Sequence, residues 1–273
     1  MTAASPARPG GQYFAPLLGV AVLAVVAGVV SFLVFGRQDV TPPTEPSPDR
    51  PTVTEGSTAE APEPQPIPLS TLGESDALVR DLVAALTPHS AFAAWLIPDH
   101  LVRLFVVVAE NVADGTNPSA RLTPLRPTQR FQTSGAPDQA VIDPASYARY
   151  NTHAEIVASI DPVRAAALYR RLAPLIDEAY MELGHPAGAF DDTLRRALVN
   201  LLRTPVLERA EPLVPRMAFF EFADADVENL MPVQKQFMGM GPRNVRAVQA
   251  SLRDIARELG FAAASLPTPA VIR

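Results

Sequence analysis

Six polar residues between positions 126 and 244 are the candidates for contact with a ligand or a partner. They are Arg126, Arg149, Glu221, Lys235, Arg243 and Asn244. Lys235 is the only lysine of the chain, and a buried lysine with a lowered pKa can act as a nucleophile. Nothing near Lys235 in the sequence supplies an activating partner, so we expect a structural or solvated role. No catalytic residue is predicted.

The segment "GMGPRN" is a second place where chemistry is conceivable. Arg243 and Asn244 stand there at a helix start, where backbone N–H groups can face a carboxylate or a phosphate. The segment lacks the lysine and the preceding strand of a phosphate-binding loop, so a tight connection between helices is the alternative. Arg149 lies in "SYARYN" between Tyr147 and Tyr150, where ring stacking and fold-internal hydrogen bonding are both open.

Catalytic and metal-binding motifs are absent from the sequence. No Gly-x-Ser-x-Gly and no Gly-x-x-x-x-Gly-Lys segment occurs. The four histidines lack zinc-site spacing, and the absence of cysteine excludes thiolate metal sites and disulfides. The acidic run at 224–228 lacks the later glycine and glutamate of a calcium loop, which favours a helix-capping turn. We therefore predict no metal and no cofactor.

Helical periodicity dominates residues 72–260, which predict a mainly α, multi-helix globular domain. A first helix should start at Ser75 or Asp76, and an apolar central helix should follow and stop at Gly115. Asp-Pro steps at 143–144 and 161–162 predict two capped helix starts, and a last helix follows Gly241. Pro174 should kink or split its helix. Segments 130–133 and 216–222 are strand-like, so at most one short two-stranded β element is expected.

An uncharged apolar run covers residues 15–35. As a helix it would extend about 31 Å, the thickness of a bilayer hydrocarbon core. The run is longer than the apolar region of a cleaved signal peptide, so we predict a retained, single transmembrane helix that contacts the lipid bilayer. The pairs Ala24/Gly28 and Ala27/Ser31 have the small-residue spacing that lets membrane helices approach closely, which is compatible with a homodimer.

The segments on either side of this span set the predicted topology. Residues 1–14 are too few to fold and are predicted to stay in the cytoplasm. Residues 36–71 contain nine prolines and few apolar residues, so they are predicted to be a disordered linker. The domain at 72–260 would then lie in the periplasm, held to the inner membrane, with a flexible tail at 261–273. The formal net charge of −6 argues against nucleic-acid binding.

A set of segments in fixed order resembles a known bacterial family. The segments are "ESDALVRDLVAAL", "LVRLFVVVAENVADG", "LRPTQRF", "SYARYN", "LYRRLAPLIDEAYMELG" and "FADADVENLMPVQKQFMGMGPRN". They resemble, over residues 69–260, a family known only as domain of unknown function number three thousand and fourteen. The resemblance implies an N-terminal span and a proline-rich linker but no activity. Met231 stands where a serine or threonine helix cap would be expected.

Two function classes follow from this organisation. The anchor, the linker and a helical domain without a catalytic motif favour a membrane-tethered, non-enzymatic interaction or scaffold module of the cell envelope, with an envelope protein as partner. The alternative is an envelope enzyme or ligand-sensing domain with an unrecognised site around Arg126, Arg149, Glu221 and Lys235.

Overall fold

The computed structural model describes residues 71–122, 125–136, 139–216 and 219–273. Its described residues contain nine α-helices: α1 Asp76–Ala84, α2 Leu101–Ala113, α3 Pro144–Ala148, α4 Asn151–Ala158, α5 Pro162–Glu182, α6 Phe190–Leu202, α7 Ala225–Glu228, α8 Pro232–Met238 and α9 Pro242–Glu258. The short strands are β1 Thr133–Ser134, β2 Val141–Ile142, β3 Val206–Leu207, β4 Leu213–Pro215, β5 Phe220–Phe222 and β6 Val271–Ile272. The predicted mainly helical domain is thereby confirmed.

The predicted membrane span at 15–35 and the tail at 1–14 lie outside the described residues. So does the predicted linker, apart from its last residue, Thr71. From Thr71 onward, the described part of the chain contains no helix with the length and hydrophobicity that crossing a bilayer requires.

Several helix starts follow from capping residues in the sequence. The Asp143 carboxylate accepts a hydrogen bond from the Ala145 N–H at 2.8 Å, and the Asp161 carboxylate accepts one from the Arg164 N–H at 2.9 Å. These bonds satisfy N–H groups that have no partner inside the helix, and the following prolines fit the first helical position. Both predicted Asp-Pro starts are confirmed.

The first helix starts at Asp76 with Ser75 before it, as predicted, and the Asp76 side chain caps a second helix. Its two carboxylate oxygens accept the N–H groups of His100 and Leu101, at 2.6 and 2.9 Å, so it caps the start of α2 and not α1. This long-range cap fixes the end of α1 against α2. Its partner lies 24 residues along the chain, which is why local spacing could not predict it.

The main core forms around α2, which is apolar on most of its sides. Its buried residues include Phe105, Val108 and Val112, and it packs most extensively on α6 and next on α5. The amphipathic helix α9 covers α4, α5 and α6 with a stripe that includes Val248 and Leu252. The expected central position of α2 is confirmed.

Three short strand pairs replace the single pair that the sequence predicts. β1 pairs with β2 and β4 with β5, both antiparallel, and β3 pairs with β6 in parallel. The expectation that 130–133 would pair with 216–222 is wrong. The first segment pairs with β2, a few residues further along the chain, and the second folds back on β4 as a hairpin. An isolated bridge from Val141 to Pro212 connects the two hairpins.

The residues after Gly260 also differ from the expected loose tail. They form a short 3₁₀ turn at Ala263–Ser265 and end in β6. The Val206 N–H donates to the Ala270 carbonyl and the Glu208 N–H to the Ile272 carbonyl, both at 2.9 Å. Backbone pairing of this kind holds a segment whose side chains alone would not fix it.

Two further expectations from the sequence concern a proline inside a helix and the start of another helix. Pro174 is exposed and lies inside α5, which runs without a break from Pro162 to Glu182, so the proline does not split the helix. α8 begins at Pro232 although Met231 carries no capping hydroxyl, because the Gln234 side chain accepts a hydrogen bond from the Met231 N–H at 3.2 Å.

Candidate interaction surface

A second apolar cluster lies beneath the two β hairpins, apart from the main core. Its buried members come from β2, β3, β4, β5, α7 and α8 and include Ile142, Leu213 and Phe222. Phe131 and Phe220 pack against the cluster but are only partly buried. The hairpins therefore leave aromatic surface at the edge of the fold.

Five half-buried or exposed residues lie on or beside the two hairpins, and we call them together the aromatic edge: Phe131, Arg149, Arg216, Phe219 and Phe220. The rings of Phe131 and Phe220 lie 6.2 Å apart and are tilted by 48°. The Arg149 guanidinium carbon lies 5.6 Å from the centre of the Phe131 ring. The backbone N–H of Arg216 donates to the Phe219 carbonyl at 2.7 Å, and this hydrogen bond closes the turn of the β4–β5 hairpin.

Arg149 is held in place by two kinds of contact, hydrogen bonds to backbone carbonyls and contact with aromatic rings. Its Nε donates to the Ser146 carbonyl at 2.9 Å, and its Nη1 donates to the Gln129 carbonyl at 3.2 Å. Its guanidinium carbon also lies 5.3 Å from the centre of the Tyr150 ring, so the stacking alternative for "SYARYN" is realised alongside backbone hydrogen bonding. A cation fixed on aromatic faces presents its charge without a further entropy cost on binding.

Buried polar groups fix the loop that carries Arg149. Ser146 has no exposed surface, and its hydroxyl donates to the Gln132 carbonyl and accepts from the Gln132 N–H, at 2.8 and 2.7 Å. Asn244 is 4% exposed, and its amide donates to the Tyr147 carbonyl and to the Asn151 side chain, at 3.2 and 3.1 Å. Asn244 therefore holds α9 to α3 and α4, and it faces protein groups where the sequence suggested a ligand.

Glu221 and Lys235 belong to a charged group next to the aromatic edge. The Arg216 Nε donates to Glu221 at 2.7 Å, and this hydrogen bond, together with the charges of Arg216 and Lys235, lowers the pKa of Glu221. Lys235 is half-buried and donates to Glu228 at 2.5 Å, and Glu228 in turn accepts from the Phe222 N–H at 2.9 Å. These contacts give Lys235 a structural partner, in line with its expected role.

Arg126 and Arg243 lie outside this group. Arg126 is exposed and its Nη2 reaches the Ser119 carbonyl at 3.4 Å. Arg243 has a 75% exposed side chain that lies 3.8 Å from Glu155. Among the six candidates, the structure gathers Arg149, Glu221 and Lys235 around the second cluster and uses Asn244 as a buried support.

The aromatic members of the surface were missed at the sequence level. The segment "RMAFFEF" signals a strand through its aromatic content, and "LRPTQRF" carries Phe131 as a family-like segment. Neither pattern shows that Phe131 and Phe220 meet, since 89 positions separate them along the chain. Within the four described ranges, no three His, Asp or Glu side chains lie close enough together to bind a metal ion.

A known protein family covers more than half of the chain. The model of the family described as protein of unknown function, DUF3014, matches residues 101–256. The chain belongs to this family. The DUF3014 match runs from the start of α2 into α9, so it contains the aromatic edge, the buried residues of the second cluster and the whole of helices α2 to α8. No curated protein and no solved structure matches the chain.

Proposed function

We propose that this DUF3014 protein is a non-enzymatic interaction module of the bacterial cell envelope that binds a protein partner through the aromatic edge. The observation that carries the proposal is that the half-buried rings of Phe131 and Phe220 contact each other, and that Arg149 lies over the Phe131 ring, beside the hairpin that carries the exposed Arg216. Aromatic residues and arginine are the types most enriched at the energetic centres of protein interfaces.

The support beneath the surface fits a binding role. Arg149 is fixed by backbone carbonyls and rings, and the hairpin that carries Phe220 is fixed by the Arg216–Glu221 and Lys235–Glu228 ion pairs. A surface whose side chains are already ordered loses less conformational entropy when a partner docks. The charged pairs at its rim would set the orientation of the partner more than its affinity.

Co-purification of the full-length chain after crosslinking in cells tests this role. A reproducible envelope protein should be recovered with the wild-type chain and lost with Phe220→Ser or Arg216→Ala. Met181→Ser is the matched control, since Met181 is 47% exposed at the end of α5 and outside the aromatic edge. Recovery of the same partners by all four proteins, or of no reproducible partner, would refute the proposed role.

The tether is a separate part of the proposal. The uncharged run at 15–35 and the proline-rich segment that follows it support a single-pass anchor in the inner membrane with the domain on the periplasmic side. The chain has no cysteine, so Ser5→Cys and Ser265→Cys can be labelled in intact cells by a membrane-impermeant maleimide without background. Labelling at position 265 alone is expected, and labelling at position 5 alone would reverse the orientation.

A further inference from the structure

A groove between α1 and the first half of α5 lies apart from the aromatic edge. It has a volume of about 340 Å³, and its apolar floor includes Leu82, Leu86 and Leu168. The Asp161 N–H donates to the Leu86 carbonyl at 3.2 Å, and this hydrogen bond joins the residues just after α1 to the start of α5. This volume is near the lower limit, about 300 Å³, of sites that hold small molecules.

Arg171 lines this groove and is the unusual feature of its wall. Its Nη2 is buried and has no hydrogen-bond partner among the described residues. A buried donor without an acceptor destabilises a fold, so its presence calls for a physical reason. Arg171 lines the groove with part of its side chain, so rotation of its terminal side-chain bonds can turn this buried donor toward an acceptor bound there.

Arg164 lies seven residues before Arg171 on the same helix, about 10 Å along its axis. Its nitrogens have partners: Nη1 reaches the Ala85 carbonyl at 3.4 Å, and Nε lies 3.9 Å from Asp161. The two arginines give the groove a positive wall, and only Arg171 carries a buried donor that lacks an acceptor within the described part of the chain.

We propose that the groove between α1 and α5 binds a medium-chain fatty acid, with the carboxylate on Arg171 and the alkyl chain over Leu82, Leu86 and Leu168. A guanidinium and a carboxylate form paired, charge-assisted hydrogen bonds, and the leucines remove the alkyl chain from water. A purely inorganic anion would leave the apolar floor uncovered, and an uncharged chain would leave Arg171 without an acceptor.

Photolabelling of the full-length chain in phosphatidylcholine nanodiscs tests this assignment. The probe is a ten-carbon carboxylate with a diazirine near the end of its alkyl chain, and the labelled peptides are mapped by mass spectrometry. Label is expected within residues 82–86 or 164–171, and an excess of decanoate should remove it. Decanol and inorganic phosphate should not compete.

Variants separate the carboxylate contact from the groove itself. Arg171→Gln should reduce labelling about tenfold, the value of one lost charge-assisted contact. The matched control is Arg170→Gln, because Arg170 is exposed and its Nη2 donates to the Glu258 carbonyl away from the groove. Ala85→Trp should block the groove without touching Arg171, which keeps the test valid where Arg171→Gln fails to fold.

Four outcomes would overturn the proposal. They are unchanged labelling in Arg171→Gln and Ala85→Trp, label outside the groove, competition by decanol equal to that by decanoate, and displacement by phosphate alone. A fifth such outcome is labelling that appears only after Glu55, Glu60 and Glu63 are replaced by glutamine. It would show that the acidic segment at residues 55–63 occupies the groove in place of a fatty acid. None of these results depends on partner binding at the aromatic edge, so the two proposals fail separately.

Discussion

His153 is a half-buried histidine in the main body of the domain, and its ring stacks on Trp95 with centroids 5.4 Å apart. Burial lowers its pKa from 6.5 to about 4, although backbone groups of Leu125 and Arg149 partly oppose the shift. The pKa is thus lower in the folded than in the unfolded chain, so the unfolded chain binds more protons between pH 4 and 6.5. Stability should therefore decrease as the pH falls through this range.

Urea unfolding measures this effect, with Trp95, the only tryptophan, as the fluorescent reporter. Between pH 7 and pH 5 the wild-type chain should lose about 2 kcal/mol more than His153→Gln, which cannot titrate there. The exposed His100 has a φ of 61°, a conformation that asparagine tolerates, so His100→Asn is the matched control and should keep the wild-type pH dependence. Equal pH dependence in wild type and His153→Gln would contradict the assignment.

Gly241 is one of the residues at which the fold requires the absence of a side chain. Its φ is 84°, and an added Cβ would lie 2.6 Å from Cγ of Tyr147, which packs against the second cluster. Gly241→Ala should therefore destabilise the domain by about 2–4 kcal/mol, from backbone strain and overpacking together.

The matched control for this substitution is Gly73→Ala. Gly73 has no heavy atom within 4 Å of the added Cβ and lies outside the left-handed region. Its replacement should change the free energy of unfolding by less than about 0.5 kcal/mol. A loss of stability of similar size in both variants would show that the contact between Gly241 and Tyr147 is not what limits position 241.

At the scale of elements, the strand pair β3–β6 is a feature that the sequence did not predict, and it can be tested by hydrogen exchange. The amides of Val206 and Glu208 donate to the backbone at 270 and 272. Removal of residues 267–273 should raise the hydrogen-exchange rate of these two amides and leave those of α2 protected, because α2 lies in the main core. Exchange of Val206 and Glu208 that is equally fast in both proteins would mean that β6 is not stably paired.

Local patterns in the sequence predicted the helices better than the strands. The apolar periodicity of α2 and α9 and the caps Asp143 and Asp161 act within one or two turns, so the residues that decide each helix are adjacent in sequence. The strands contain only two or three residues, and their partners are chosen by packing of the second cluster. The same limit explains why the hydrogen bonds between Asp76 and the start of α2 were not predicted.

The candidate site shows the same division. Lys235 and Asn244 could be singled out by residue type and segment, and their structural partners Glu228 and Tyr147 could not. The aromatic edge depends on the approach of Phe131 to Phe220, which exists only once both hairpins have formed. Aromatic residues in a strand-like segment are usually expected to be buried, and their partial exposure is a property of the assembled fold.

At the scale of the whole molecule, two surfaces of different chemistry lie on one helical domain. The aromatic edge combines rings with fixed cations, and the groove between α1 and α5 combines leucines with an arginine that lacks an acceptor among the described residues. In our proposals the first surface binds a protein and the second binds a fatty acid. Substitutions at Phe220 and at Arg171 should thus have separable effects.

The most direct measurement of partner binding is site-specific photocrosslinking in living cells. Benzoylphenylalanine is placed at position 219, within the aromatic edge, and at position 181, which is exposed and outside it. We expect one discrete protein adduct at position 219, its loss when Arg216→Ala is added, and no such adduct at position 181. The absence of an adduct at position 219, or the same adducts at both positions, would contradict the aromatic edge as the binding surface.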